Sequence, residues 1–355
     1  MTEIDTSAPV LVTGASGYIA GWLVARLLSE GHTVHAAVRS PDDPTKVGHL
    51  DEMARDSSGS IRYFGADLLR PGSYAEAMQD CELVFHTASP FMSKVEDPIK
   101  QLIEPAQLGT RNVLEQANGV ASVRRVVLTS SCAAIYSDNS NLAETPNGVF
   151  TEEIWNTSSS VDHQPYSYSK TLAEREAWRI ADAQERWDLV TVNPSIVLGP
   201  SKNPRASSES FNMVKQFGDG TLKTGVPRMG FGFVDVRDVA EVHYRAGFTP
   251  AASGRYLVSG HDSDLAEIGV ILRASFGDRF PFPPRILPKW LLWLVGPMFN
   301  KWLTRKIVSR NVDLPWRGDH GKAKRDLGIE FRPLKESVVE FFQQMIDIGA
   351  VKARA

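Results

Sequence analysis

The sequence predicts an α/β fold: a doubly wound parallel sheet with helices on both faces, beside a smaller, mainly helical, discontinuous region. Three observations predict it. Strand-like and helix-like stretches alternate through residues 9–194. A glycine-containing turn, "TGASG", joins the first strand to the first helix. After Pro194 the texture changes, with a loop rich in Gly, Pro and Ser ("GPSKNPRASSES"), an α/β pattern again over 231–260, and mostly helix beyond 261.

Residues 9–13 are a short apolar run of the kind a fully buried parallel strand shows. Residues 17–30 carry a helical pattern, and Gly31 is its expected C-cap. "TVHAAVR", "IRYFGAD", "LVFHTAS", "RRVVLTSS" and "WDLVTVNPS" read as strands two to six. Helical stretches lie between most of them, notably over 98–118 and 166–186. "GFVDVRDVAEVHYRA" and "GRYLVSG" return to the same pattern. The tail is helical, with a Pro-rich break at "FPFPP". One part therefore comprises 1–194 with 231–260, and the other 195–230 with 261–355. No internal repeat or low-complexity tract is present.

The 355 residues suffice for one large α/β unit or two fused ones. The chain is 42% hydrophobic and 23% charged, which excludes bulk disorder. A net charge of −3 gives no global pull toward nucleic acid and favours small-molecule partners. Cys81 and Cys132 read as buried free thiols, and their spacing fits no metal site. The polar N-terminus has no secretory pattern, and no apolar run is long enough to span a membrane. The expectation is a cytoplasmic, enzyme-sized protein.

In "VLVTGASGYIAGWLVARLL" the glycine pattern follows a strand and opens a helix, the context that gives it meaning. Gly14 permits the tight turn. Gly17 lets a pyrophosphate approach the backbone at a helix N-terminus. Ala20 stands where a third glycine would pack helix on strand, with Gly21 next. An ordinary strand–turn–helix is the alternative. The spacing Thr13-Gly14-x-x-Gly17-x-x-Ala20 resembles that of the short-chain dehydrogenase/reductase superfamily, in its extended branch, which has a Rossmann fold. That resemblance implies a cofactor seat at Thr13, Gly14, Ser16, Gly17, Tyr18 and Ile19.

The end of the second strand selects the cofactor. An acid there suits the ribose 2′-OH of NAD, and a base suits the 2′-phosphate of NADP. Arg39 follows "HAAV", Lys46 lies seven residues on, and Asp42 and Asp43 come too late to occupy the strand end. Guanidinium binds phosphate in bidentate geometry. The expected cofactor is NADPH; a solvated surface arginine is the plainer alternative. By the same resemblance, Asp67 and Leu68 contact adenine, and Thr87, Ala88 and Ser89 flank the nicotinamide ribose. Pro194, Ser195, Ile196 and Val197 lie near the nicotinamide.

"PYSYSK" supplies the catalytic candidates. Reducing a carbonyl builds negative charge on its oxygen, so a proton donor must stand beside it. A tyrosine serves if a neighbouring ammonium lowers its pKa. Tyr166 is four residues before Lys170, on one helical face. Tyr168 is two residues before it, about 200° away. Pro165 suits a first helical turn. Tyr166-x-x-x-Lys170 is also the superfamily's spacing, although the spacing alone is common by chance. In "VVLTSSCAAIYS", Ser131 matches the family's catalytic serine, with Ser130 as fallback. Asn112 resembles a family helix asparagine, with a structural role equally open.

"TEEIWN" (151–156), "VFHTASPF" and "VRS" resemble the dihydroflavonol, cinnamoyl-CoA and fungal carbonyl reductases of the extended branch. Tyr136 stands near the position where plant dihydroflavonol reductases carry an asparagine. It offers one hydroxyl and a large apolar face. It is therefore a candidate substrate contact, for a less hydroxylated, partly hydrophobic aldehyde or ketone. The expected reaction is reversible NADPH-dependent reduction to the alcohol by Ser131, Tyr166 and Lys170. The rivals are a 3β-hydroxysteroid dehydrogenase, a sugar-nucleotide epimerase or dehydratase, and a non-catalytic dinucleotide sensor. The tail "LPKWLLWLVGPMFNKWLTRKIVSR" carries three tryptophans, with Lys301, Arg305, Lys306 and Arg310 in its second half. Gly296-Pro297 is expected to break it into two short helices. They would form a pocket lid, core, a homodimer surface or a membrane-surface contact.

Overall fold

The computed structural model describes residues 1–90, 95–203, 208–300 and 302–354. Phe91 of the fourth-strand turn, 204–207 of the Gly/Pro/Ser loop and Lys301 lie outside the described residues. The apolar runs become β1 (Val10–Thr13), β2 (Thr33–Val38), β3 (Ser60–Gly65), β4 (Leu83–His86), β5 (Arg125–Thr129) and β6 (Asp188–Pro194). Six more strands follow: β7 (Ile196–Leu198), β8 (Val226–Pro227), β9 (Gly230–Asp235), β10 (Gly254–Val258), β11 (His261–Asp264) and β12 (Ile286–Leu287). Seven of these form one sheet in the order β10-β6-β5-β4-β1-β2-β3, and every pairing in it is parallel. β1 and β4 are wholly buried, as strands covered on both faces must be. Between them the strand order reverses, so a crevice opens beyond their C-terminal ends.

The helices that connect these strands are α1 (Tyr18–Ser29), α2 (Pro44–Arg55), α3 (Ala75–Met78), α4 (Glu104–Gly119), α5 (Pro165–Ala181), α6 (Glu209–Gly218) and α7 (Val236–Phe248). α1 and α7 bury Leu23, Leu27, Val239 and Val242 on one face of the sheet. α4 and α5 bury Val113, Leu114, Ala177 and Ile180 on the other. The tail folds into α8 (Leu265–Phe276), α9 (Lys289–Phe299), α10 (Arg305–Asn311), α11 (Gly321–Leu327) and α12 (Leu334–Asp347). α6, α8 and α12 share a separate core around Phe217, Leu272, Phe341 and Phe342. A three-stranded sheet, β11-β9-β7, and the pair β12-β8 lie beside it. Among the described residues, no helix is long and apolar enough to cross a membrane.

Two sequence expectations differ from the structure. The helix expected over 166–186 ends at Ala181. Gln184 closes a turn there, donating to the carbonyls of Ala181 (3.1 Å) and Trp187 (2.7 Å). The break expected at Gly296-Pro297 is absent, since α9 runs through both to Phe299. Pro297 sits in the last turn, where it removes the bond to the Trp293 carbonyl but only Met298 and Phe299 follow it in the helix.

Arg125 is fully buried at the start of β5. It pairs with Asp188 of β6 at 2.7 and 2.9 Å. It also donates to the carbonyls of Ala246, Gly247, Thr249, Pro250 and Ala252, after or at the end of α7. A charge in the interior is tolerated when its donors are met in this way.

Candidate active site

The glycine turn lies at the crevice. Gly14 has φ +63°, and a Cβ there would stand 3.0 Å from Ala88 Cα, so any side chain would be strained and crowded. Gly17 caps α1 with no side-chain bond, and the first turn holds no acid. Uncapped amides at a helix start suit an anion. Thr13 Oγ1 accepts from Ala88 N at 3.1 Å and meets His86 Nδ1 at 2.9 Å. Thr87 donates to the Thr13 carbonyl, locking the β4 turn against the β1 turn. Burial pushes His86 down to about 3, so it is neutral. Ser16 accepts through its carbonyl from Asn203 at 3.1 Å. Tyr18 turns away, donating to the Gly199 carbonyl and stacking on Phe341 at 5.8 Å. Ile19 packs against the core.

Arg39 follows β2 and is exposed, as is Lys46 in the first turn of α2. Asp43 is engaged elsewhere: its carboxylate caps α2, accepting from Thr45 N at 2.9 Å. Asp67 accepts from Leu69 N at 2.8 Å and so shapes its own loop. Leu68 packs over Gly109, where a Cβ would meet it at 2.5 Å. Asn112 donates to the Leu68 carbonyl at 3.0 Å, a structural role.

The catalytic candidates converge at the same sheet edge. Beyond β5, Ser131 caps the turn Cys132–Ala134, accepting from Ala133 N at 3.1 Å. Its side chain also lies beside the Tyr166 hydroxyl, close enough to act on its pKa. α5 opens at Pro165, behind Gln164 in the left-handed region (φ +57°). Lys170 Nζ lies 5.8 Å from the Tyr166 ring centroid and donates to Ser89 Oγ at 2.9 Å. Tyr168 is half-buried, packed away from this group's side of the helix. Ser89, Ser131, Tyr166 and Lys170 are thus brought together from three segments.

Burial pushes the Tyr166 hydroxyl up to about 12, and the neighbouring Ser131 hydroxyl opposes that rise. The side chain is 49% exposed to the open cleft, so water there moderates the effect of burial. Burial pushes Lys170 down to about 8, opposed by Glu174. The sequence suggested that the ammonium lowers the tyrosine. In the structure burial raises it instead; only the neighbouring Ser131 opposes that rise, and Lys170 is directed at Ser89.

Behind this group lies a network that sequence reasoning missed. Glu174, one turn after Lys170, is 1% exposed. It accepts from Ser130, from Asn193 Nδ2 at 2.6 Å and from Arg255 Nε at 2.6 Å. Ser130 therefore supports the site from behind. Asn193 also donates to the Ser131 carbonyl at 3.1 Å. Arg255 lies 4.0 Å over the Trp155 ring and donates to the Glu152 and Ile154 carbonyls, both at 2.7 Å. It anchors the "TEEIWN" segment. An acid on the buried face of α5 and an arginine inside a buried strand were the available signals. A second hub is buried Asp138, which accepts from His163 Nε2 (2.7 Å), Arg310 Nε (2.6 Å) and Asn311 Nδ2 (2.8 Å). It ties α10 to the loop after Ser131.

Tyr136 stacks on Phe150 at 4.5 Å and tilts against Trp316 at 5.9 Å. With half-buried Cys132 they form a wall beyond Ser131. Burial holds the Tyr136 hydroxyl well above its usual range and the Cys132 thiol at about 12. Cys81 is buried and raised to about 12 as well; both thiols are free, and burial disfavours their thiolates. β6 ends at Pro194. Ser195 N donates to the Val258 carbonyl at 2.9 Å, while its hydroxyl is buried with no partner. Ile196 and Val197 pass into β7.

The uncapped start of α1, the Gly14 cradle and the orphaned Ser195 hydroxyl fit a dinucleotide laid across the crevice. A nucleotide seat at this edge, with a Tyr–Lys turn facing it, defines the extended short-chain dehydrogenase/reductase class. The chain belongs to the NAD dependent epimerase/dehydratase family, whose sequence pattern matches residues 10–258. It is 35% identical over 348 residues to cinnamoyl-CoA reductase CAD2 of Medicago truncatula, covering 97% of this chain and 98% of that one. Tetraketide alpha-pyrone reductase 2 of Arabidopsis thaliana is 38% identical over 276 residues, 77% of this chain and 84% of that protein. Among solved structures, the yeast methylglyoxal/isovaleraldehyde reductase Gre2 complexed with NADPH superposes with a TM-score of 0.77. It is 26% identical, over 96% of this chain and 99% of that one.

Proposed function

We propose that the protein is an NADPH-dependent reductase that converts a partly hydrophobic aldehyde or ketone to the alcohol. The observation that carries this is the meeting of Ser131, Tyr166 and Lys170 beside the glycine turn. The relatives named above, all reductases, support it. NADPH, when bound, supplies a hydride to the carbonyl carbon. Tyr166 gives its hydroxyl proton to the carbonyl oxygen, and its raised pKa keeps that proton available. Ser131 donates a hydrogen bond to the same oxygen. Lys170 has protons to spare beyond Ser89 and would hold the ribose hydroxyls. The apolar wall of Tyr136, Phe150 and Trp316 favours an aromatic or aliphatic substrate.

Arg39 and Lys46 would take the 2′-phosphate, the basis for NADPH over NADH. Within this reading, 1–194 and 231–260 bind the cofactor, 195–230 and 261–355 shape the substrate side, and the enzyme works in the cytoplasm. The test is NADPH and NADH consumption across a panel of aldehydes, ketones and aryl thioesters. Turnover with NADPH on several members is expected. Arg39→Ala should raise KM for NADPH about tenfold and leave NADH little changed. Equal losses would remove the phosphate role. No turnover, with NAD retained through purification, would favour the epimerase reading.

A further inference from the structure

Helix α9 has a face that no described residue covers. Of its residues, Leu292 and Gly296 are buried, and Leu292 packs with Met229, Ile307 and Val308. Opposite them Trp290 is 67% exposed, Trp293 42%, Leu294 53% and Met298 81%. The spacing 290, 293, 294, 298 places them on one stripe. Phe299 and Trp302 extend it past the helix end. A contiguous apolar patch of this kind marks an interaction surface.

Charge says which partner it fits. From Arg279 to Val312 the sequence contains no Asp or Glu and seven Lys or Arg. The chain as a whole carries −3, so the rest of it is net acidic. Arg305 lies 4.7 Å over the Trp293 ring, and Arg305 and Lys306 are both exposed. Protein interfaces share the Trp, Met and Arg but are depleted in lysine, and a protein partner would have to bring its own acids to meet these cations. A second copy of this chain in a twofold contact would set the same cations against one another. Tryptophans flanked by unopposed cations instead suit the boundary between acyl chains and acidic headgroups.

We infer that α9 docks the protein on the surface of an anionic lipid bilayer. The stripe Trp290, Trp293, Leu294 and Met298 enters the headgroup–acyl boundary, and Arg305 and Lys306 meet lipid phosphates. At 11 residues the helix lies on the membrane and does not cross it. α9 rests on α10, whose Arg310 and Asn311 hold Asp138 beside the catalytic loop, so docking places the reductase site close to the lipid. This stands apart from the reductase reading and does not depend on it.

The experiment is flotation of the full chain with vesicles of phosphatidylcholine alone and of phosphatidylcholine with about one-third phosphatidylglycerol. The protein should float with the anionic vesicles, stay behind with the neutral ones, and release in ~0.5 M salt. Arg305→Glu with Lys306→Glu should cut binding at least about tenfold, as should Trp290→Ser with Met298→Ser. Circular dichroism should match the parent in both variants. Absence of binding to anionic vesicles, or binding that ignores both pairs of substitutions, overturns the inference. So does sedimentation showing a dimer that the same substitutions dissolve while vesicle binding persists.

Discussion

Tyr166 and Lys170 share one turn of α5, yet burial moves them in opposite senses, each toward its neutral form. Below about 8 the hydroxyl keeps its proton and the ammonium its charge. Above that value the ammonium is lost first. Reduction should therefore fall as pH rises through about 8, while the tyrosine, held near 12, keeps its proton across that range and oxidation gains nothing from its loss. Rates in both directions across about pH 6 to 9 check this, and a flat reduction profile would contradict it. Tyr166→Phe should lower kcat by about 10² to 10⁴-fold with NADPH affinity little changed, read by steady-state kinetics and fluorescence titration. The Tyr–Lys pairing was legible because i and i+4 share a helix face. The destination of the Lys170 ammonium was not, because Ser89 lies 81 residues away in the chain and only the fold brings it near.

At the scale of elements, α5 carries reacting groups on its open side and a buried acid behind them. Glu174→Ala would leave Arg255 unpaired in the interior, at a cost of about 3–5 kcal/mol, measured by urea unfolding. Glu174→Gln, which keeps the shape and some of the hydrogen bonds, should cost less. Loss no greater than that of a surface substitution would show that the network is not structural. The long strands were readable because burial on both faces demands continuous apolar runs, as in β1 and β4. β7, β8, β11 and β12 span two to four residues, too few to show a period. The end of α5 was overrun because residues 182–186 are helix-compatible locally. What stops the helix is the Gln184 turn. Pro297 misled in the opposite sense, because only two helical residues follow it, leaving little helix for it to break.

For the whole molecule, stability should depend on acid in a defined sense. His86 and His243 are buried and held at about 3 and about 4, below the ordinary value of 6.5. His32, His35 and His49 shift the same way. The unfolded chain therefore binds more protons below about 6.5. Their contribution is complete above that pH and is lost as pH falls toward the folded values. Calorimetry should show the thermal midpoint declining steadily from about pH 6.5 to 4, and a constant midpoint would contradict it. The parallel sheet and the position of its ligand edge were legible from the alternation of elements and the glycine turn. The Asp138 and Glu174 hubs were not, since they join segments up to 173 residues apart.

Arg125 adds a rule about assembly order. It emerges with the fifth strand, but the five carbonyls that surround it come 121 to 127 residues later. Until then Asp188 is its one ionic partner, and the sheet beside it lacks its edge strand β10. A nascent chain must therefore wait, partly open, for its own distant segment. Cutting it before Ala252 would not trim a lobe; it would leave a charge inside a half-built sheet.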